Sequence, residues 1–188
     1  MQTLCYNIEM EVKKRFLMLI ISFAAVVGIK AQDVAIKTNG LYWLATTPNL
    51  GLEFATSNKT TLDFSGAYNP WTFKGDKKLR FWLAQPEVKY WFCEKFEGHF
   101  LGIHAHGAQF YSTLGNKRRD GYLAGGGISY GYNWILSPHF NIEAEIGFGY
   151  ARLWYKESDC IPCLKEQERK QQNYFGPTKA ALSLVYIF

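Results

Sequence analysis

Three groups of residues have types and spacings that could do chemistry. Cys160-Ile161-Pro162-Cys163 has the spacing of a zinc half-site or a redox pair, His104-x-His106 could offer a base or two metal ligands, and Gly125-Gly126-Gly127 could cradle a phosphate. Each needs company. Zinc needs a second ligand pair, yet Cys93 and the histidines belong to other segments. A redox Cys-x-x-Cys needs a strand-to-helix setting that lowers a thiol pKa, and a phosphate loop needs a following helix with Lys-Ser/Thr. The surroundings of these residues offer neither. A lipid-modifying hydrolase would need a nucleophile beside a histidine. Ser129 and Ser183 share the face of His104 and His106, but nothing in the sequence pairs them with a base. No catalytic, cofactor-binding or metal-binding residue is therefore assigned. Cys160 and Cys163 read as a local disulfide in an exported loop, and Cys93 is left without a role.

The elements that must position these residues follow from a period of two. After Asp33 the chain alternates in eight segments. Ala180, Leu182, Leu184, Tyr186 and Phe188 share one face, opposite Lys179, Ala181, Ser183, Val185 and Ile187. Phe140–Arg152 sets Phe140, Ile142, Ile146, Phe148 and Tyr150 against Asn141, Glu143, Glu145, Gly147 and Gly149, and Tyr122–Tyr132 repeats the theme with Gly125, Gly127, Ser129 and Gly131. Leu79–Phe92 alternates Trp82, Ala84, Val88 and Tyr90 with Gln85, Glu87 and Lys89, and Pro86 implies a bulge or a ladder break. His99–Phe110, Thr60–Tyr68 and Asn49–Thr56 follow suit, while Val34–Leu44 alternates less cleanly.

The connections also alternate. Ser57-Asn58-Lys59, Cys93–Gly98 and Leu136–His139 are short; Asn69–Lys78, Tyr111–Asp120 and Tyr155–Thr178 are long; only Thr46-Thr47-Pro48 departs from the rule. Short turns at one end and long loops at the other predict an all-β fold, an eight-stranded antiparallel up-and-down transmembrane β-barrel of the OmpA/OmpX type. A soluble barrel with the apolar face inward is the competing arrangement. Aromatic bunches at segment ends (Trp82; Tyr90-Trp91-Phe92; Tyr130, Tyr132, Trp134; Tyr150, Trp154) favour the membrane form, as does the closing pattern Leu184, Tyr186, Phe188, which reads as an outer-membrane assembly signal for the barrel-assembly machinery. Glu87, Lys89, His104, His106, Glu143, Glu145 and Arg152 would then form an interior polar network, since unpaired buried charge is costly. Eight strands enclose an interior that side chains fill, so a conducting pore is not expected.

Composition agrees. The chain has 188 residues, 48% hydrophobic, 20% charged and 17% aromatic, with 17 glycines, and its mean hydropathy is −0.17. Disorder and a multi-helix membrane protein are both excluded. Lys13, Lys14 and Arg15 precede the apolar run Phe16–Gly28, followed by Ile29-Lys30-Ala31-Gln32. That pattern predicts a signal peptide over residues 1–31, with Met10 as the start and the barrel over 32–188. Setting it aside leaves 17 basic against 14 acidic residues, so the formal charge falls from +5 to +3 and argues for no nucleic-acid partner. The expected location is the bacterial outer membrane, in contact with its lipid, with both termini periplasmic.

Several blocks resemble the DUF3575 family of outer-membrane barrels from Bacteroidetes: Tyr68–Phe73 (YNPWTF), Arg80–Phe92 (RFWLAQPEVKYWF), Gly98–Gly102 (GHFLG), Ala124–Ile135 (AGGGISYGYNWI), Glu143–Ala151 (EAEIGFGYA) and Asn173–Leu182 (NYFGPTKAAL). The resemblance implies an eight-stranded barrel, a tendency to carry a cysteine pair where Cys160 and Cys163 stand, and surface-fibre (fimbrillin) components as partners. Some relatives add a peptidoglycan-binding domain, for which this chain gives no sign. No reaction comes with the family, so the expectation is a non-enzymatic structural or adhesion and fimbria-assembly accessory, with a lipid A- or phospholipid-modifying hydrolase as the alternative.

Overall fold

A computed structural model describes residues 33–71, 79–114, 117–158 and 168–188. The signal peptide over 1–31 and the Cys160/Cys163 pair lie outside the described residues. Eight strands close into a barrel in simple sequence order: β1 (Val34–Asn39), β2 (Asn49–Ser57), β3 (Thr60–Asn69), β4 (Leu79–Trp91), β5 (Gly98–Leu114), β6 (Lys117–Ile135), β7 (Phe140–Ser158) and β8 (Glu168–Ile187). All neighbours are antiparallel, and β1 closes the ring against β8 with Ala35 opposite Ile187 and Asn39 opposite Ser183. No edge remains where β1 and β8 pair, which removes the usual template for edge-to-edge association.

The first segment corrects the sequence reading. The strand expected over Val34–Leu44 stops at Asn39, and Gly40–Leu44 form a short helix, α1. Asn39 makes the change. Its Oδ1 accepts from Leu41 N at 3.0 Å and from Leu182 N at 3.1 Å, and its Nδ2 donates to Ala180 O at 3.0 Å. One side chain thus caps the helix and satisfies β8 backbone beyond the last β1 residue.

A second correction concerns the long loops. Tyr111–Asp120 and Tyr155–Thr178 were expected to be irregular, but β5 and β6 pair as far as Leu114 and Lys117, and β7 and β8 as far as Glu157 and Glu168. Backbone ladders need no apolar face, so strands that have left the packed part of the barrel continue while their alternation fades. The barrel is therefore uneven: β1 has 6 residues and β8 has 20. Pro86 breaks pairing with β5 without adding a residue, since Ala84 faces Gly107 and Glu87 faces His104 in one register. The ladder break, not the bulge, is what the missing N–H causes.

The faces sort as the alternation requires. Ile103 and Ile128 on the outside keep 70% and 66% of their surface exposed, while Lys89, Glu53 and Glu143 inside keep none. Aromatic rings cluster near the turns: His99 stacks on Tyr130 at 5.8 Å, Tyr132 meets Trp134 at 4.7 Å, and Tyr186 touches Phe140 at 5.1 Å and Phe188 at 5.2 Å. A second group stands toward the hairpin ends, where Tyr122 and Trp154 stack at 5.1 Å. Eight positions separate Trp82 from Tyr90 and Tyr122 from Tyr130. At about 3.3 Å per residue and a tilt of roughly 40° the rows lie ~20 Å apart.

Candidate functional site

The barrel interior holds the densest chemistry. Inward positions of β1 to β4 carry Lys37, Glu53, Asp63, Glu87 and Lys89; those of β7 and β8 carry Glu143, Glu145 and Lys179. Lys37 Nζ lies 2.8 Å from Glu53 Oε2, 2.6 Å from Asp63 Oδ2 and 3.1 Å from Glu143 Oε1. Lys89 Nζ lies 2.7 Å from Glu143 Oε1 and 3.3 Å from Glu53 Oε2. Lys179 Nζ pairs with Glu87 and lies 3.0 Å from Glu145 Oε1. Each ammonium is thus shared between carboxylates from different strands, the arrangement that makes buried ions tolerable.

The remaining strands join through neutral groups. Ser129 on β6 donates to Glu87, and His104 Nε2 on β5 lies 2.9 Å from Thr178 Oγ1 on β8. Thr61 donates to Glu53 and accepts from Trp91 Nε1 at 3.0 Å. Side chains from all eight strands meet across the lumen. A cavity of about 30 Å³ remains beside Lys37, Asp63, Gln85, Glu145 and Lys179, room for about one water molecule.

Toward the turn end the lining becomes apolar. Trp91, Phe96 and Phe100 are buried together with Ala35, Ala55 and Val185, and the Trp91 and Phe100 rings sit 4.7 Å apart. Phe96 reaches in from the β4–β5 turn with a left-handed backbone, φ 63°, and its carbonyl accepts from Asn141 Nδ2 at 2.9 Å. Lys89 Nζ lies 4.3 Å from the Phe100 ring centre, so the apolar plug also steadies the cation above it. Trp91 corrects its expected place among the outer aromatics. It lies two positions from Lys89 and shares its inward face.

Of the expected network, Glu87, Lys89, His104, His106, Glu143 and Glu145 are all buried, and the rings of His104 and His106 sit 5.7 Å apart. Arg152 does not join them. It occupies the same parity as Phe148 and Tyr150 and is exposed, with its guanidinium 5.5 Å from the Trp154 ring and 2.5 Å from Gln171 Oε1. Lys37 and Lys179 were missing from the expected set, although both stand on inward alternation positions, two residues from Ala35 and Ala181. Glu53 and Asp63, on inward positions of β2 and β3, find their cation in Lys37. His104 Nδ1 and His106 Nδ1 have no hydrogen-bond partner among the described residues, and no group of three or more metal-ligating side chains occurs among them.

The glycine run serves a different purpose from a phosphate cradle. A Cβ on Gly125 would lie 2.7 Å from His106 Nε2, and one on Gly131 would lie 2.6 Å from Phe100 Cε1. Missing side chains on β6 thus let the β7 backbone come close, with the Tyr150 and Phe148 carbonyls nearest Gly125 and Gly127, and make space for inward rings of β5 at Gly125 and Gly131. At the closing strand, Leu184 and Phe188 are exposed on the outer face and Tyr186 lies between them, half-buried against Phe140.

No curated protein and no solved structure matches the chain. A family model described as a protein of unknown function, DUF3575, matches residues 16–188, nearly the whole length. With an eight-stranded closed barrel over the described residues, the chain belongs to the DUF3575 family.

Proposed function

We propose that this chain is a small outer-membrane barrel that is closed to solutes and acts without catalysis, as a structural or adhesion and assembly accessory. One observation carries the reading: polarity is reversed, with ions sealed inside and Ile103, Ile128, Phe148 and Leu182 displayed outside. In water such a surface would be an aggregation hazard; in lipid it is the stable arrangement. The two aromatic rows stand near the spacing of about 25 Å expected between bilayer interfaces. In this setting the turn end is periplasmic and the paired hairpin tips face outward, where they are available to surface-fibre subunits.

The protein should need detergent for extraction, and unboiled samples should migrate faster on gels than boiled ones. Full solubility without detergent would overturn the membrane reading. In planar bilayers it should carry no resolvable current steps, because Phe96, Trp91 and the lysine–carboxylate layer fill the lumen. Discrete openings of the wild-type protein would contradict a sealed barrel.

The alternative, a lipid-modifying hydrolase, has one feature in its favour. The His104–Thr178 contact could serve as a base and a nucleophile, but the unpartnered His104 Nδ1 gives the ring no orienting acid. Thr178→Ala should leave the lipid A and phospholipid profile of producing cells unchanged, by mass spectrometry. A lost lipid species would favour the enzyme.

A further inference from the structure

Beyond the outer aromatic row, cations on the two faces of the hairpin sheet are treated differently. On the inner face Arg119 and Lys170 both pair with Glu157, at 3.0 and 3.1 Å. On the outer face Lys156 and Arg169 stand directly opposite each other in the β7–β8 ladder, exposed, and neither has an ion-pair partner among the described residues. Like charges placed opposite in a ladder repel, and Asp120, opposite Lys156 on β6, answers only one cation of the two, which leaves this outer row with a net positive charge.

The ground beside them is shaped. An open concavity of about 400 Å³ has among its lining residues Asp120, Tyr122, Trp154, Lys156, Arg169 and Gln171. Register places Gln109, Tyr122, Trp154 and Gln171 in one row across β5 to β8, with Lys156 and Arg169 two positions farther from the turns. Tyr122 and Trp154 stack at an interplanar angle of 22°, forming an aromatic wall flanked by amides. Aromatic faces suit the apolar faces of a sugar ring, amides suit its hydroxyls, and the cation pair suits a phosphate.

We infer that this outer concavity binds the phosphorylated sugar headgroup of an outer-leaflet glycolipid. The occupant is a lipid because the cations stand about 5 Å beyond the aromatic row, where headgroup phosphates lie when that row marks the bilayer interface. The inference rests on the membrane reading above. The bound phosphate would meet the positive charge that Asp120 leaves unanswered while Trp154 and Tyr122 support the sugar.

The test reconstitutes the full chain in phosphatidylcholine discs doped with bisphosphorylated lipid A, dephosphorylated lipid A or phosphatidylglycerol, and measures lipid retained after detergent extraction. Wild type should retain bisphosphorylated lipid A over both others. Lys156→Gln/Arg169→Gln should lose about tenfold of that retention, since two charge-assisted contacts disappear, and Trp154→Ala should weaken it less. Heat-modifiable migration shows that each variant is folded, and Lys156→Gln alone serves if the double variant is not. Equal retention by wild type and variant, or equal retention of dephosphorylated lipid A or phosphatidylglycerol, overturns the inference and leaves the membrane reading standing. Failure of the wild type to enter any bilayer overturns both.

Discussion

Lys89→Met should destabilise the barrel by about 3–5 kcal/mol, because it strands buried carboxylates. The ammonium lies 2.7 Å from Glu143 Oε1 and 3.3 Å from Glu53 Oε2, and the side chain is wholly buried. Methionine fills much the same volume beside Phe100, so packing loss is a small part of the effect. The charge imbalance is the large part: Lys37 would then be left as the one lysine on both Glu53 and Glu143 while also serving Asp63. Removing one stranded acid as well, in Lys89→Met/Glu143→Gln, should recover about 1–3 kcal/mol, a coupling expected for residues in one network. Urea titration in detergent micelles, followed by tryptophan fluorescence, measures both. A single variant within about 1 kcal/mol of wild type would show that these ions carry little of the stability.

Gly149→Val is expected to prevent folding, a loss above about 4–5 kcal/mol. A Cβ at Gly149 would lie 2.6 Å from Gly127 Cα and would press on the Gly126 carbonyl, and one at Gly127 would lie 2.8 Å from Gly149 Cα. These obstacles are backbone, which no rotamer change can clear. The two strands would have to separate at Gly127↔Gly149, in the middle of their long ladder. Gly107→Ala is the control, since the nearest atom to its added Cβ is Leu123 O at an ordinary 3.9 Å. That variant should stay within about 1 kcal/mol of wild type, whereas unboiled Gly149→Val should run as unfolded chain. Normal migration of Gly149→Val would mean that β6 and β7 can open without breaking the barrel.

The strands and their faces were legible wherever one face is apolar and the other is not. Phe140–Ala151 shows this most cleanly, because residues as unlike as Phe148 and Gly149 alternate along it, whereas in Lys179–Phe188 the inner face itself turns apolar at Val185 and Ile187. Legibility failed where a different interaction governs. The turn at Asn39 depends on a side-chain amide reaching β8, about 140 residues away in sequence, which no local pattern displays. The hairpin extensions past Tyr111 and Tyr155 are held by backbone ladders whose inner face is polar, with Thr113 and Glu157 buried there and Glu157 paired to Arg119 and Lys170, so their hydropathy carries no period. Trp91 resembled its outer neighbours Tyr90 and Phe92 in type, and only strict parity distinguishes them. Parity likewise separates Arg152 from Glu145. The network was half visible: its acids stand in clean alternation, but Lys37 lies in the segment that alternates least and Lys179 follows a proline two residues earlier.

The lysine layer also bears on kinetics. Lys37 meets Glu143 across 106 residues of sequence, Lys89 meets Glu143 across 54, and Lys179 meets Glu87 across 92. Contacts of such separation are costly to close and form late on the way to the native state. Interactions absent from the folding transition state act mainly on the rate of leaving the native state. The ions inside this barrel therefore work as a latch: they do little to hasten closure, and they set how long the closed ring persists once β8 has met β1.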